Sequence, residues 1–358
     1  MLILYITYVD MNGAASGSGV RPQKMYRALI EAGHAVKLIS GSQQRWDRKA
    51  RTAAVREIRQ WLEENRPDIC YIESPSTPIT FRCDIALIRE IHRMGIPIGY
   101  FYRDFYWKFP ELYPRRTDFT GRLKDCWLDH LQRRTDNVLR CADIVYFPSE
   151  ECKKYFSYAD MRTLPPAGEI RPLERCPEKN TCIYVGGISG DYGGEMMLHA
   201  FRHLNGEGKN YPLLLVCRER EWDAFRGKWE NEPWLEVHHT SGDGLFPLYA
   251  RAEAAMMPLQ KNPYTDLSIN VKIFEYMSFG LPVVSTNVEA VAQIIRENRM
   301  GCSAPSDTTE DFAAAVETLF ADREKLSEYA ESALSSLHGK NLWINRVQRL
   351  TDDLKEKK

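Results

Sequence analysis

The sequence lacks several features that would each point to a particular class of protein. No apolar run approaches the ~18–20 residues that a membrane-spanning helix needs. The nine cysteines are odd in number and include no Cys-x-x-Cys pair, which argues against a disulfide framework or a structural zinc site. The net charge is only −1, so the strongly basic balance typical of nucleic-acid binding is missing. We therefore expect neither a nucleic-acid partner nor a structural metal.

The first residues also lack the marks of a secretory signal. The opening "MLILYITYV" has no basic region before its apolar residues and no small-residue cleavage site after them. We interpret it as a first β-strand. Together with thiols that suit a reducing compartment, this predicts a cytoplasmic protein.

The chain has the size and composition of a folded protein with two domains. It has 358 residues, of which 44% are hydrophobic and 27% charged. Strand and helix patterns alternate from the first residue, which predicts an α/β fold with doubly wound parallel sheets. A stretch rich in proline and charge, 163–180, interrupts the alternation and is typical of a linker.

We predict two facing Rossmann-like domains with a cleft between them. The first covers residues 1–165 and the second 166–340, and a final helix over 341–358 is expected to pack back on the first domain. Because ligands of such sheets bind beyond the carboxyl ends of the strands, the loops at those ends are the candidate site.

The loop 11–22 lies directly after the first strand and before a helix. Gly17 and Gly19 would let backbone amides approach a ligand closely, and the helix N-terminus favours anions. The spacing matches neither a dinucleotide fingerprint nor a P-loop. A flexible connection is the alternative, and Arg21 could face either the cleft or solvent.

Two further strand ends carry charged residues. Arg103 and Asp104 follow a predicted strand among aromatic residues, which could form a platform for a sugar or pack beneath a surface turn. Arg218 follows another buried strand, where its guanidinium could bind a phosphate or pair with Glu219 or Glu221.

The segment 114–134 combines six basic residues with Phe119, Trp127 and Leu131. Such a helix could lie on an anionic membrane surface, which would place the protein peripherally at the inner face of the cell membrane. A solvated helix whose apolar stripe packs on the sheet is the alternative.

The segment 270–286, "NVKIFEYMSFGLPVVST", predicts a helix, a stop and a buried strand. Gly280 suits a left-handed position just after the helix, and "LPVVS" is typical of a strand covered on both faces. Lys272 and Glu275 share one side of the helix and could form a surface pair or face a ligand.

In these motifs the chain resembles the family 4 glycosyltransferases, which have the GT-B fold. The similarity is strongest in "NVKIFEYMSFGLPVVSTN" and extends to "GVRP", "ADIVYFPS", "VGGISGDYGGEMML" and "LYARAEAAMMPL". The family transfers a sugar from a nucleotide-sugar donor to an acceptor, needs no catalytic metal or other cofactor, and usually retains anomeric configuration. The resemblance therefore implies a hexosyltransferase acting on a glycan or lipid-linked acceptor, in bacterial surface polysaccharide biosynthesis.

The resemblance also implies roles for particular residues. Glu275 would accept hydrogen bonds from the donor ribose, and Lys272 would lie nearer the phosphates. The pyrophosphate would meet the amides at the helix start, and the first domain's glycine loop would also contact the donor; these positions are Ser268, Ile269, Asn270, Gly17 and Gly19.

The acceptor side of the resemblance is less complete. Arg103 and Asp104 stand in place of the family's His-Asp and are the candidate catalytic side chains, with Asp104 orienting an acceptor hydroxyl. No side-chain nucleophile is assigned.

Three family positions depart from the pattern. Leu267 replaces a carboxylate, and glycines stand near the two usual cation positions, at Gly187 and Gly193. Arg218, helped by Lys272, is the candidate replacement for those cations. These departures keep two alternatives open, namely a non-catalytic GT-B partner of another glycosyltransferase and a GT-B sugar-nucleotide epimerase.

Overall fold

A computed structural model of the chain describes residues 1–11, 19–171, 174–206 and 208–358, and the main chain alone at residue 45. It divides the chain into two compact units. The first unit comprises Met1–Pro166 together with Trp343–Lys358, and the second comprises Ala167–Leu342.

The first unit is built on a six-stranded parallel sheet in the order β2-β1-β3-β4-β5-β6. Its central strands are apolar and buried along their length because helices cover both faces of a parallel sheet. The strands are β1 (Leu2–Thr7), β2 (Ala35–Ile39), β3 (Ile69–Glu73), β4 (Ile98–Phe101), β5 (Ile144–Phe147) and β6 (Met161–Thr163).

In the described part of this unit, four helices connect the strands and a fifth returns from the end of the chain. They are α1 (Val20–Glu31), α2 (Arg48–Glu64), α3 (Arg82–Arg93), α4 (Phe119–Leu139) and, at the C-terminus, α13 (Trp343–Lys355). Helix α13 is strongly amphipathic and buries Leu350 and Leu354 completely. The Arg346 guanidinium donates to the carbonyl oxygens of Pro165 and Pro166 at 3.0 Å, and so ties this helix to the segment after β6.

The second unit repeats the architecture with the strand order β12-β11-β10-β7-β8-β9, again all parallel. The central strands β7, β8 and β10 are buried throughout. The strands are β7 (Cys182–Val185), β8 (Leu213–Val216), β9 (Leu235–His238), β10 (Ala254–Met257), β11 (Val283–Ser285) and β12 (Gly301–Ser303).

Among the residues described for the second unit, eight helices surround this sheet. They are α5 (Gly194–Gly206), α6 (Glu219–Trp222), α7 (Arg226–Trp229), α8 (Phe246–Arg251), α9 (Val271–Ser278), α10 (Glu289–Asn298), α11 (Thr309–Ala321) and α12 (Arg323–Lys340). Gly280 follows α9 with φ +59°, as predicted. A left-handed residue here frees the chain to turn directly into β11.

The α/β fold with two doubly wound parallel sheets is therefore confirmed. Sequence patterns missed the three-residue edge strand β6 and the whole of α12. Helix α12 is 18 residues long but buries only Leu326, Ala333 and Leu337, so its apolar stripe is too sparse to give a clear helical period.

Two general expectations can also be compared with the described residues. None of the nine cysteines forms a disulfide, and all nine lie within the described ranges. Within those ranges, no helix combines the length and the apolar character needed to cross a membrane.

Candidate functional site

Helix α9 exposes only one narrow side. Ile273, Phe274 and the residues at 276–278 are buried in the core of the second unit, whereas Val271, Lys272 and Glu275 are half-buried. The Lys272 Nζ lies 2.8 Å from the Glu275 Oε2, with side-chain exposures of 32% and 30%. The two predicted donor-binding charges are thus paired with each other, on the one side of α9 that the core leaves uncovered.

The start of α9 offers two of the three predicted backbone amides. Asn270 occupies the N-cap position, yet its side chain makes no capping hydrogen bond. The Ser268 amide already donates to the Thr265 carbonyl oxygen at 3.0 Å. The amides of Ile269 and Asn270 donate to no other described residue, so they remain the candidates for an anion at this helix start.

The loop after β7 carries glycines at the two positions where the sequence comparison expected cations. Gly193 has φ +67°, and a Cβ there would lie 1.7 Å from the Pro258 carbonyl oxygen. A Cβ at Gly187 would lie 2.8 Å from the Tyr192 ring. Gly193 is therefore required by the neighbouring backbone, whereas a side chain at Gly187 would need the exposed Tyr192 ring to move. The loop carries no cationic side chain at either position.

Arg218 lies beyond the carboxyl end of β8, as predicted, but a carboxylate holds it. Its Nη1 donates to the Glu221 Oε1 at 2.9 Å, and its side chain is 78% exposed. The Glu221 Oε2 accepts the Ile188 amide at 2.9 Å. The pairing with Glu221 that the sequence left open is thus the one found.

The loops that carry these groups lie at the same edge of the second sheet. Strands β8, β7 and β10 are neighbours, so their carboxyl ends meet at one edge. The Gln260 amide after β10 donates to the Asp191 carbonyl oxygen in the loop after β7 at 2.9 Å. Leu267, which stands in place of a family carboxylate, is buried. We call this set of loops, with α9, the donor edge.

At the corresponding edge of the first sheet, Arg103 and Asp104 follow β4 and are half-buried. The Arg103 amide donates to the Ser74 Oγ at 2.9 Å, and its Nη2 lies 3.5 Å from the Glu73 Oε2. We call this strand end, with its neighbours, the acceptor edge.

The aromatic residues of the acceptor edge are mostly buried beneath it. Tyr102, Phe105 and Phe109 are each 2–3% exposed, and the Phe105 ring contacts the rings of Tyr102 and Phe109. These three rings pack beneath the turn, which was the alternative left open by the sequence, whereas Tyr106 in the same stretch is 37% exposed.

Sequence patterns missed the residue at the centre of the acceptor edge, Glu73. This last residue of β3 is fully buried, and its Oε1 accepts the Tyr71 hydroxyl at 2.9 Å. Burial and then the negative charge of Glu73 raise the pKa of Tyr71 well above its usual range. A single carboxylate ending the apolar run "ICYIE" was the available signal.

Arg21 does not face solvent, and it lies against Glu73 at the acceptor edge. Its guanidinium is buried, with the Nε 3.2 Å from the Glu73 Oε1 and the Cζ 3.7 Å from the centre of the Phe101 ring. Gly19 is the N-cap of α1, with φ −88°, so no glycine-specific conformation is needed there. Gly17 lies outside the described residues.

Part of the sequence matches a known protein family, and the structure is similar to several solved structures. Residues 179–322 match the family model described as glycosyl transferases group 1, and no curated protein matches the sequence. The structure is similar to that of a sucrose-phosphate synthase from Thermosynechococcus elongatus, with a TM-score of 0.72 and 12% identity over 99% of both chains.

Two further similar structures cover both units. WaaG, a glycosyltransferase involved in lipopolysaccharide biosynthesis, gives a TM-score of 0.63 with 16% identity over 99% of both chains. HepE from Anabaena, in complex with UDP-glucose, gives a TM-score of 0.65 with 15% identity over 99% of this chain and 100% of HepE.

Proposed function

The chain carries a group 1 glycosyltransferase domain and has the fold of the GT-B glycosyltransferases, and on that premise we propose that it transfers a sugar from a nucleotide-sugar donor to a glycan or lipid-linked acceptor. The observation that carries the proposal is the donor edge. There, Lys272, Glu275 and the amides of Ile269 and Asn270 lie together at the carboxyl ends of a parallel sheet.

Each group has a part that its chemistry supports. The Glu275 carboxylate accepts hydrogen bonds from the donor ribose, and its negative charge suits no phosphate. Lys272 and the two amides stabilise the charge that develops on the leaving nucleoside diphosphate. In the proposed reaction no metal takes part and the anomeric configuration is retained.

The acceptor edge holds the second substrate in this proposal. Asp104 orients an acceptor hydroxyl, and Arg103 lies beside it, held by Ser74 and Glu73. The acceptor belongs to bacterial surface polysaccharide biosynthesis, and the enzyme works in the cytoplasm. The position of these two side chains at the end of a strand supports this proposal for the acceptor.

A panel of nucleotide sugars tests the donor. We expect at least one of the UDP-, GDP-, ADP-, CMP- or dTDP-linked sugars to raise the unfolding temperature by mass action. Glu275→Ala should abolish that shift at the same concentration. Glu317→Ala, which breaks a lysine–glutamate pair elsewhere in the second unit, should leave it unchanged. If no donor shifts the wild-type protein, the proposal is wrong.

One observation favours a second candidate, a non-catalytic partner of another glycosyltransferase. The donor edge has no cation at Gly187 or Gly193 and no carboxylate at Leu267. This candidate predicts that a second glycosyltransferase co-purifies and that Glu275→Ala leaves the activity of the pair intact. A strong loss of activity in that variant would exclude it.

Helix α4 supports a membrane contact as a further part of the proposal. Phe119, Leu123 and Trp127 are spaced four residues apart and are 78%, 57% and 51% exposed. Leu131 and Val138, further along the helix on nearly the same side as Trp127, are buried. The first turns of the helix therefore present an apolar stripe that the unit does not cover, flanked by basic residues that complement anionic lipid.

Flotation with vesicles tests this contact. The wild-type protein should float with vesicles rich in phosphatidylglycerol and stay behind with phosphatidylcholine alone. The double variant Phe119→Ser/Trp127→Ser should lose most of the binding, whereas Trp46→Ser, at a tryptophan that is also 78% exposed, should not. Wild-type protein that never floats would disprove the contact.

A further inference from the structure

Glu221 stands at the donor edge in a position that sequence patterns considered only as a partner for Arg218. It lies in the short helix α6 directly after β8, and its side chain is 19% exposed. One carboxylate oxygen accepts the Ile188 amide at 2.9 Å, and the other lies 2.9 Å from the Arg218 Nη1. The carboxylate therefore bridges the loops that follow two neighbouring strands, β7 and β8.

Both groups that Glu221 engages are ones that bind phosphate in proteins. A backbone amide in a glycine-rich loop and an arginine guanidinium each donate well-directed hydrogen bonds to anionic oxygens. Gly187 lies next to the Ile188 amide, and a Cβ added at this glycine would lie 3.3 Å from the Glu221 Oε2. The loop after β7 therefore approaches the Glu221 carboxylate closely. The Glu221 carboxylate thus accepts hydrogen bonds from two donors that could otherwise bind a phosphate.

A second cation of the donor edge, Lys272, is balanced in the same way. Lys272 pairs with Glu275, three residues along the same helix, just as Arg218 pairs with Glu221. Each cation is neutralised by a carboxylate one turn away, so the edge carries no surplus positive charge from these four residues.

We propose that Glu221 is a specificity-determining residue that competes with the donor's phosphate groups for the Ile188 amide and the Arg218 guanidinium. The inference rests on the proposed function. It implies that Glu221 lowers the affinity of the site for each additional phosphate charge. Its effect should therefore depend on the charge of the nucleotide and leave the nucleoside part unaffected.

Calorimetric titration of Glu221→Gln tests this competition. Glutamine keeps an acceptor oxygen for the Ile188 amide and removes the charge. The probes are UDP, GDP, ADP, CDP and dTDP, followed by the monophosphate and the nucleoside of the diphosphate that binds best. We expect the variant to bind the diphosphate roughly three- to ten-fold more tightly, the scale of one partly exposed charge contact. The gain should be smaller for the monophosphate and absent for the nucleoside.

Glu219→Gln is the matched control. Glu219 lies in the same helix and is exposed, so this variant removes the same charge without touching the amide or the guanidinium. It should change diphosphate affinity less than two-fold. An equal gain in both variants would overturn the inference in favour of a general effect of net charge.

Other outcomes separate the inference from the proposed function. Unchanged or weaker diphosphate binding by a folded Glu221→Gln protein would show that Glu221 serves only to hold the loop. If the wild-type protein binds no nucleotide, the proposed function fails, and the inference fails with it. Should Glu221→Gln not fold, Arg218→Gln decides: we expect less than a two-fold loss of diphosphate affinity, and a ten-fold loss would overturn the inference.

Discussion

The acceptor edge and the donor edge occupy equivalent places in two sheets of the same architecture, yet they treat charge differently. At the acceptor edge, the fully buried Glu73 lies between Arg21 and Arg103, whose side chains are 6% and 14% exposed. At the donor edge, Lys272 and Glu275 are each about one-third exposed, and Arg218 is largely in solvent.

This difference distinguishes charges that support the fold from charges that can meet a ligand. Separating a buried carboxylate from its two guanidinium groups costs a large amount of free energy, because it leaves an uncompensated buried charge. A half-exposed pair on a helix contributes little to stability and can be opened at little cost. The sharpest functional expectations therefore belong to the donor edge, and the sharpest stability expectations to the acceptor edge.

Removing the buried carboxylate should have the largest effect on stability. Glu73→Gln leaves Arg21 and Arg103 without their shared counter-charge, and we expect a loss of about 3–5 kcal/mol in the free energy of unfolding. Urea denaturation followed by circular dichroism measures it. Glu57→Gln, which removes an exposed partner of Lys37 in the same unit, is the control, and equal losses in both variants would remove the contrast.

The donor-edge pair should show the opposite balance. Lys272→Met ought to change the free energy of unfolding by less than about 1 kcal/mol, while weakening nucleoside diphosphate binding roughly ten- to hundred-fold, the scale of a lost charged hydrogen bond. Calorimetric titration gives the affinity and urea denaturation the stability.

Lys209→Met is the control for that experiment. Lys209 lies just before the start of β8, at the amino ends of the strands, and it pairs with Glu317 of α11. It should leave nucleotide affinity unchanged. A large stability loss in Lys272→Met, with affinity intact, would mean that the pair is structural.

The smallest expected effect on stability concerns Glu236, an exposed carboxylate with no proposed role in ligand binding. Arg251 donates to both oxygens of Glu236, at 2.9 and 2.7 Å, and this holds the pKa of Glu236 below its ordinary value of 4.5. A lowered pKa in the folded state gives stability that is present above pH 4.5 and is lost as the pH falls through the folded value.

Glu236→Gln should therefore lose less than about 1 kcal/mol at neutral pH and become equal to the wild type in strong acid. Thermal unfolding across the acid range measures this. If the difference in stability between the variant and the wild type stays constant down to the lowest pH, the hydrogen-bond geometry matters and the charge does not.

Local patterns were sufficient for most of the fold. The strands are short apolar runs, and Gly280 adopts the left-handed conformation that its place after α9 predicts. Helix α12 escaped prediction because its three buried residues are widely spaced. Patterns detect an element when its buried side is dense, since periodicity is the signal.

The candidate site was predictable in position but not in connectivity. Lys272, Glu275 and Arg218 lie at strand ends or helix starts where the alternation of elements puts them. The bond from Ser268 to Thr265, which uses one predicted amide, depends on a short turn that no motif marks. The contact from Glu221 to Ile188 joins residues that are 33 positions apart.

The order of residues along this chain was enough to predict two parallel sheets, most of their strands and helices, and the ends of the strands where a nucleotide sugar would be sought. Those features depend on local propensity and on which residues must leave water. Folding alone decided that Arg21 turns inward to Glu73 and that Glu221 takes the amide of a neighbouring loop. Such partners come together only once the strand order has set which loops are neighbours, and burial then determines whether a charge supports the fold or stays available to a ligand.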